Sequence, residues 1–202
     1  MHPRIVKFTS EQFYDGKLLS GISGGDRRLP DSQFDWRGSP VVFVDVPDRQ
    51  ESFSHRDGSK SNPEQAKVCK DIIERLRHAP KSSSDKYPVE EVQKVSIAVL
   101  TPYTAQVKLL RSLGKHSESP IVSSVTVSTV DSFQGREADI VIFCTVRCNV
   151  YCSIGFLADE RRINVSLTRA KSGLIVVGNK QTLVSSKDGG ALWKAWFRGL
   201  NN

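Results

Sequence analysis

Two stretches of this chain hold the residue types that handle phosphate. Val127-Ser128-Thr129-Val130-Asp131-Ser132-Phe133-Gln134-Gly135-Arg136-Glu137-Ala138-Asp139 sets a glycine among polar side chains, and 159–171 is rich in arginine. Glycine lets the backbone approach a ligand closely. Gln134 and Glu137 offer acceptors for ribose hydroxyls or a lytic water. The planar fork of an arginine makes paired, charge-assisted bonds to phosphate oxygens. Taken as one helix, 159–171 puts Arg162, Ser166 and Arg169 on one face, with Ile163, Leu167 and Ala170 on the neighbouring apolar stripe. Each stretch alone also reads as a polar turn or a solvated basic face. Jointly they point to one phosphate site.

A second group of candidates follows apolar runs. Thr101-Pro102-Tyr103 and Ser128-Thr129 are expected at strand ends. Thr101 is expected at a helix N-terminus, where free amides and the helix dipole attract phosphate. Tyr103 could stack on a base. The plainer alternatives are an N-cap for Thr101 and core packing for Tyr103.

The elements that must position these groups alternate. Residues 41–46, 95–100, 125–128, 140–146 and 174–177 are apolar runs of strand length. Asn62-Pro63 opens a helix with the stripe Ala66, Cys69, Ile72, Ile73 and Leu76. Another helix after Thr101-Pro102 carries Val107, Leu109, Leu110 and Leu113, and a last amphipathic helix over 191–198 carries Trp193, Trp196 and Phe197. Alternating uniformly apolar strands with helices specifies an α/β, three-layer domain around a mainly parallel sheet. The expected organisation is one domain over 1–202: an irregular N-terminal segment 1–40, sheet and helices over 41–186, and a C-terminal helix within 187–202. Polar loops are expected over 48–61, as a mobile stretch, and over 78–91. Ligands in such sheets bind beyond the carboxyl ends of the strands, so 101–103, 128–129 and 134–137 are expected along one edge.

The chain has 202 residues, enough for one full core, and a net charge of +7 that favours an anionic partner. No apolar run reaches the roughly 20 residues that a membrane span needs. The start has no signal-peptide core, and the expected compartment is cytoplasm or nucleus. Cys69, Cys144, Cys148 and Cys152 show no C-x-x-C pair, so they read as reduced structural thiols and no metal ligands are assigned. Neither G-x-x-x-x-G-K-[ST] nor G-x-G-x-x-G occurs. Without the first of these the chain cannot cradle a triphosphate alone.

At this point the motifs resemble a family. Met1-His2-Pro3 is similar to the end of a motif Q-Y-R-M-H-P, and Phe13 to Leu18 to the stretch after it. Thr101-Pro102-Tyr103, Val130 to Glu137, Ile154-Gly155-Phe156-Leu157, Arg161 to Ala170 and Val177-Gly178-Asn179 follow in order at family-like spacing. The chain resembles the second RecA-like motor domain of superfamily 1 helicases, nearest the RNA helicases of nonsense-mediated decay and their DNA2/NAM7-type relatives. The resemblance implies that Arg169 reaches the γ-phosphate of ATP and that Glu137 binds the ribose. It implies that Gln134 and Gly135 link the nucleotide to the nucleic acid, and that Thr101, Pro102, Tyr103, Ser128 and Thr129 contact a single strand of RNA or DNA. Arg162 is placed at the nucleotide or, alternatively, in an ion pair that positions the helix. The phosphate loop and the carboxylates holding Mg2+ belong to a first lobe that this sequence lacks, and the sequence starts in mid-motif. It is therefore expected to be a fragment of a longer protein, a truncated gene product or a split protein. The competing expectation is a stand-alone, non-catalytic lobe that binds nucleic acid or a protein partner.

Overall fold

A computed structural model of the chain describes residues 1–47, 50–54, 58–78, 95–115 and 125–200. In chain order the strands are β1 (Val41–Asp45), the short β2 (Ser52–Phe53) and β3 (Lys60–Ser61), β4 (Ile97–Thr101), β5 (Thr126–Thr129), β6 (Ala138–Cys144) and β7 (Ala170–Gly178). Five of them form one sheet in the order β1-β7-β6-β4-β5, and every pairing in it is parallel. The helices are α1 (Pro3–Phe13), α2 (Pro63–Arg77), α3 (Thr104–Lys115), α4 (Glu160–Leu167), α5 (Lys180–Ser185) and α6 (Gly190–Leu200).

Alternation along the strands builds two cores. Ala98, Leu100, Val141, Phe143, Leu174 and Val176 face one side, where α1, α4, α5 and α6 cover them. Ile97, Val99, Ile140, Ile142, Ile175 and Val177 face the other side and pack under α2 and α3. Side chains of successive strand residues point to opposite faces, so continuous apolar runs are what a doubly covered sheet requires. The three-layer α/β architecture follows directly. Aromatic rings close the first face: Phe43 meets Phe197 edge-on at 4.7 Å between centroids, and Trp193 donates Nε1–H to the Leu157 carbonyl at 3.1 Å.

Two local expectations need correction, and a third is not reached. The segment 1–40 is not irregular throughout, because Pro3–Phe13 is a helix. His2 caps it by accepting from the Arg4 N–H, Pro3 sits in its first turn, and Asp15 and Gly16 end it with positive φ. Its buried face is Ile5, Val6, Thr9 and Ser10, half of it polar, so no apolar stripe announced it. Within 48–61, β2 and β3 pair as an antiparallel hairpin with Phe53 opposite Lys60. The loop expected over 78–91 lies, beyond His78, outside the described residues.

Candidate functional site

Residues 130–137 carry the chain from the end of β5 to the start of β6, two parallel strands with β4 between them. The crossover must therefore run the length of β4 in a few residues. Val130 donates its N–H to the Thr101 carbonyl at 3.1 Å, at the C-terminal end of β4. A single 3-10 turn over Asp131–Phe133 buries Phe133 in the first core. Gln134, Gly135, Arg136 and Glu137 then emerge exposed. Gly135 has φ +78, and a Cβ there would meet nothing within 4 Å, so the glycine serves backbone conformation rather than crowding. The expectation that 134–137 shares an edge with 101–103 and 128–129 is corrected here. Gln134 to Glu137 stand at the N-terminal end of the sheet, because they lead into β6.

Arg169 joins them there, though not from a helix face. The helix expected over 159–171 stops at Leu167, where the Thr168 hydroxyl donates back to the Asn164 carbonyl at 2.8 Å. Arg169 sits in the link to β7. Its Nε–H donates to the Val165 carbonyl at 3.0 Å, Nη2 to Thr168 Oγ1 at 3.0 Å, and Nη1 to the Arg136 carbonyl at 3.4 Å. The guanidinium thus shares the Val165 carbonyl at the negative end of α4 with the Thr168 hydroxyl, 3.3 Å away, and ties that end to Arg136. Its remaining N–H groups stay available for an anion. Arg162 and Ser166 do not extend this set. Ser166 is buried and donates to the Arg162 carbonyl at 2.8 Å. Arg162 lies 3.7 Å from both Asp131 and Asp159, with its guanidinium 4.5 Å from the Phe156 ring centroid.

At the C-terminal end, Thr101 and Thr129 are register partners on β4 and β5. Thr101 is fully buried and its hydroxyl has no hydrogen-bond partner. It does not cap a helix, since α3 begins at Thr104. Ser128 is buried as well. Pro102, Tyr103 and Thr129 are half-buried, and Thr129 Oγ1 donates to Ser132 Oγ at 2.8 Å. Only these three of the five nucleic-acid candidates present surface at the edge, because the others end their strands inside the core.

Sequence reasoning missed the charges beneath this edge. Glu51 and Arg147, 8% and 5% exposed, pair at 3.0 Å across 96 positions of sequence. Glu51 Oε2 also accepts from the Cys148 N–H at 2.8 Å and from Asn149 Nδ2 at 3.1 Å, while Lys60 Nζ stands 3.1 Å from Oε1. Burial alone would raise the Glu51 carboxyl, but the bonds from Arg147, Cys148 and Asn149 hold it below its ordinary value. Arg147 Nη1 donates to the Tyr103 hydroxyl at 3.3 Å. Burial pushes that phenol above its ordinary value. Gly155, φ +52, leaves room for the same guanidinium: a Cβ there would lie 2.7 Å from Arg147 Nη1. Val146 is held at φ +70, a strained value for a β-branched residue, by the Gln65 and Asn62 side chains on its N–H and carbonyl. The one sequence signal was an arginine directly after an apolar strand.

A family profile described as an AAA domain matches residues 1–181, which takes in both ends of the sheet. The chain belongs to this AAA-domain family. It is 36% identical over 188 residues to the ATP-dependent helicase NAM7 of Saccharomyces cerevisiae, covering 91% of this chain and 18% of that protein. It is 35% identical over 207 residues to regulator of nonsense transcripts 1 of Dictyostelium discoideum, covering 100% of this chain and 14% of that protein. With the DNA polymerase alpha-associated DNA helicase A of Saccharomyces cerevisiae it shares 34% identity over 209 residues, 97% of this chain and 28% of that protein. The AAA domain therefore spans less than a third of each of these relatives. It is a lobe of this helicase type, as its motif order implies. No helix among the described residues is long and apolar enough to cross a membrane.

Proposed function

We propose that this AAA domain is the C-terminal motor lobe of an ATP-dependent helicase acting on single-stranded RNA or DNA. The observation that carries the reading is the crossover 130–137, which touches both ends of the sheet. Thr129 and Val130 tie it to the strand-end residues, Asp131 faces Arg162, and the Arg136 carbonyl receives Arg169. A change in what Arg169 binds is thereby a few bonds from a change at Thr129 and Tyr103. Arg169 would exchange its internal carbonyls for γ-phosphate oxygens, to which a guanidinium binds more strongly. Glu137 and Gln134 would hold ribose and water, and Gly135 would keep the turn open. Pro102, Tyr103 and Thr129 would grip the strand directly, with Thr101 and Ser128 setting them from beneath. Mg2+ would neutralise charge on the triphosphate. In this reading the metal is held mainly by the opposing lobe.

The test uses the longer protein that this reading requires, with its ATP turnover measured with and without single strands. Strand-stimulated turnover lost in Arg169→Ala supports the reading, and unimpaired turnover overturns it. A second reading, a lone lobe that holds a strand or a protein without catalysis, draws on the missing phosphate loop. Strand binding by this chain that ignores ATP and weakens steeply with salt favours that second reading.

A further inference from the structure

The loop after β6 carries the most exposed large hydrophobic side chains of the described residues apart from Leu19. Tyr151 is 88% exposed and Val150 is 74% exposed. A tyrosine so placed on a loose tip would be unremarked, but this tip is clamped. The Cys152 N–H closes the turn onto the Asn149 carbonyl at 3.1 Å. The Asn149 side chain donates to the Ser153 carbonyl at 2.8 Å and accepts from the Ser153 N–H at 3.0 Å. The same Nδ2 reaches Glu51, so the turn is anchored to the buried Glu51–Arg147 pair. Cys152 takes φ +50 to complete it. The backbone that carries this exposed aromatic is thus fixed before binding, so less ordering is left for binding to cost.

Its position continues the candidate strand path. Along the C-terminal edge the order of strand ends is β5, β4, β6, so Thr129, Tyr103 and the 147–153 turn follow one another along that edge. Arg147 bonds the Tyr103 hydroxyl, and Gly155 lies against both. The turn therefore leaves from beside Tyr103. The charge nearby is positive or neutralised: Glu51 is buried against Arg147 and Lys60, and Lys60 Nζ lies 5.2 Å from the centroid of the Phe53 ring, itself 53% exposed. Aromatic surface beside cations, with no exposed carboxylate in the anchor, suits a base with its phosphate better than an apolar protein face.

We infer that Tyr151 is a base-stacking residue that extends the single-strand path beyond Tyr103 by one nucleotide, an inference that rests on the strand-binding reading above. Stacking is indifferent to sequence, because every base has a π-face. The site would take single-stranded RNA or DNA, and a duplex would be refused because its bases are already stacked.

The test is titration of this chain with a fluorescein-labelled oligothymidylate and with an abasic strand of equal length, at one fixed salt concentration. Tyr151→Ala should weaken binding to the base-bearing strand by about fivefold to a hundredfold and leave binding to the abasic strand unchanged. Tyr151→Trp should keep the affinity, and its exposed indole should be quenched by the base-bearing strand alone. Unchanged affinity in Tyr151→Ala overturns the inference, as it would if the tip met a protein instead. An equal loss on both strands also overturns it, because that identifies a phosphate contact. Failure of the unsubstituted chain to bind either strand removes the strand-binding reading on which the inference rests. Exposure of the side chain means that both variants should melt with the parent.

Discussion

The backbone N–H of Ala138 donates to the carbonyl of Arg169 at 3.1 Å. That bond joins the two candidate phosphate-handling stretches where β6 and β7 begin, and it fixes where the Arg169 side chain starts. The guanidinium is satisfied by its own domain through Val165, Thr168 and Arg136. It bonds the last turn of α4, and on the proposed reading it would turn outward toward the γ-phosphate.

On the proposed reading, Arg169→Ala in the longer protein should lower strand-stimulated ATP turnover by about a thousandfold or more, the range of arginine fingers in nucleotide hydrolases. ATP affinity, which that reading assigns mainly to the opposing lobe, should change little. Arg169→Lys should rescue little of the turnover, since an ammonium lacks the planar fork. Turnover assays beside equilibrium nucleotide binding check this; a variant that loses binding and turnover together would show a folding or docking role instead.

Two glycines with positive φ should respond differently to alanine. Gly135→Ala meets only the left-handed backbone, at about 1–2 kcal/mol. Gly155→Ala meets the same backbone cost and also displaces Arg147, whose Nη1 would lie 2.7 Å from the new Cβ. Thermal denaturation should show the larger loss at Gly155, at roughly 2–4 °C for each kcal/mol in a domain of this size. Equal losses at the two positions would mean that Arg147 moves aside freely.

The fold was legible because its strands are buried on both faces: runs such as Ile140 to Cys144 admit no other placement. Helix α2 announced itself through Asn62, Pro63 and an unbroken apolar stripe. The site was legible as residue types and less so as geometry. Gln134 to Glu137 follow one strand and precede another, and nothing in the sequence says that the crossover runs the whole length of β4. Arg169 keeps helical spacing with Arg162, yet the Thr168 hydroxyl ends the helix one residue earlier. Glu51 and Arg147 meet across 96 positions, and only a fold can bring together charges so far apart in the chain.

Arg162 distinguishes its two assignments by its partner. As an ion pair with Asp131, both side chains about half exposed and 3.7 Å apart, it should stabilise this chain by no more than about 1 kcal/mol. In that case Asp131→Asn should lower turnover in the longer protein in the same direction as Arg162→Ala, which also loses Asp159 and Phe156, and should add nothing on top of Arg162→Ala. A rise in KM for ATP in Arg162→Ala alone would identify a nucleotide contact. Steady-state kinetics of the four proteins decides between the two.

Glu51 should make stability depend on pH. Its carboxyl is held below the ordinary 4.5 by Arg147, Cys148 and Asn149 despite burial, so the ionised form is the one the fold favours. A depressed carboxylate contributes in full above the unfolded value, and the contribution fades as pH falls through 4.5 toward the lower folded value. Glu51→Gln leaves Arg147 buried without its counter-charge and should cost about 3–5 kcal/mol at pH 7. The Tyr103 hydroxyl, bonded to Arg147, should lose its fixed position with it, so strand affinity should fall alongside stability. Urea denaturation of both proteins at pH 7 and in steps below pH 4.5 gives the comparison. The gap should narrow with acid because the parent carboxylate becomes protonated and the glutamine does not change. A gap that stays constant across that range would mean that Glu51 acts through packing, with its charge contributing nothing.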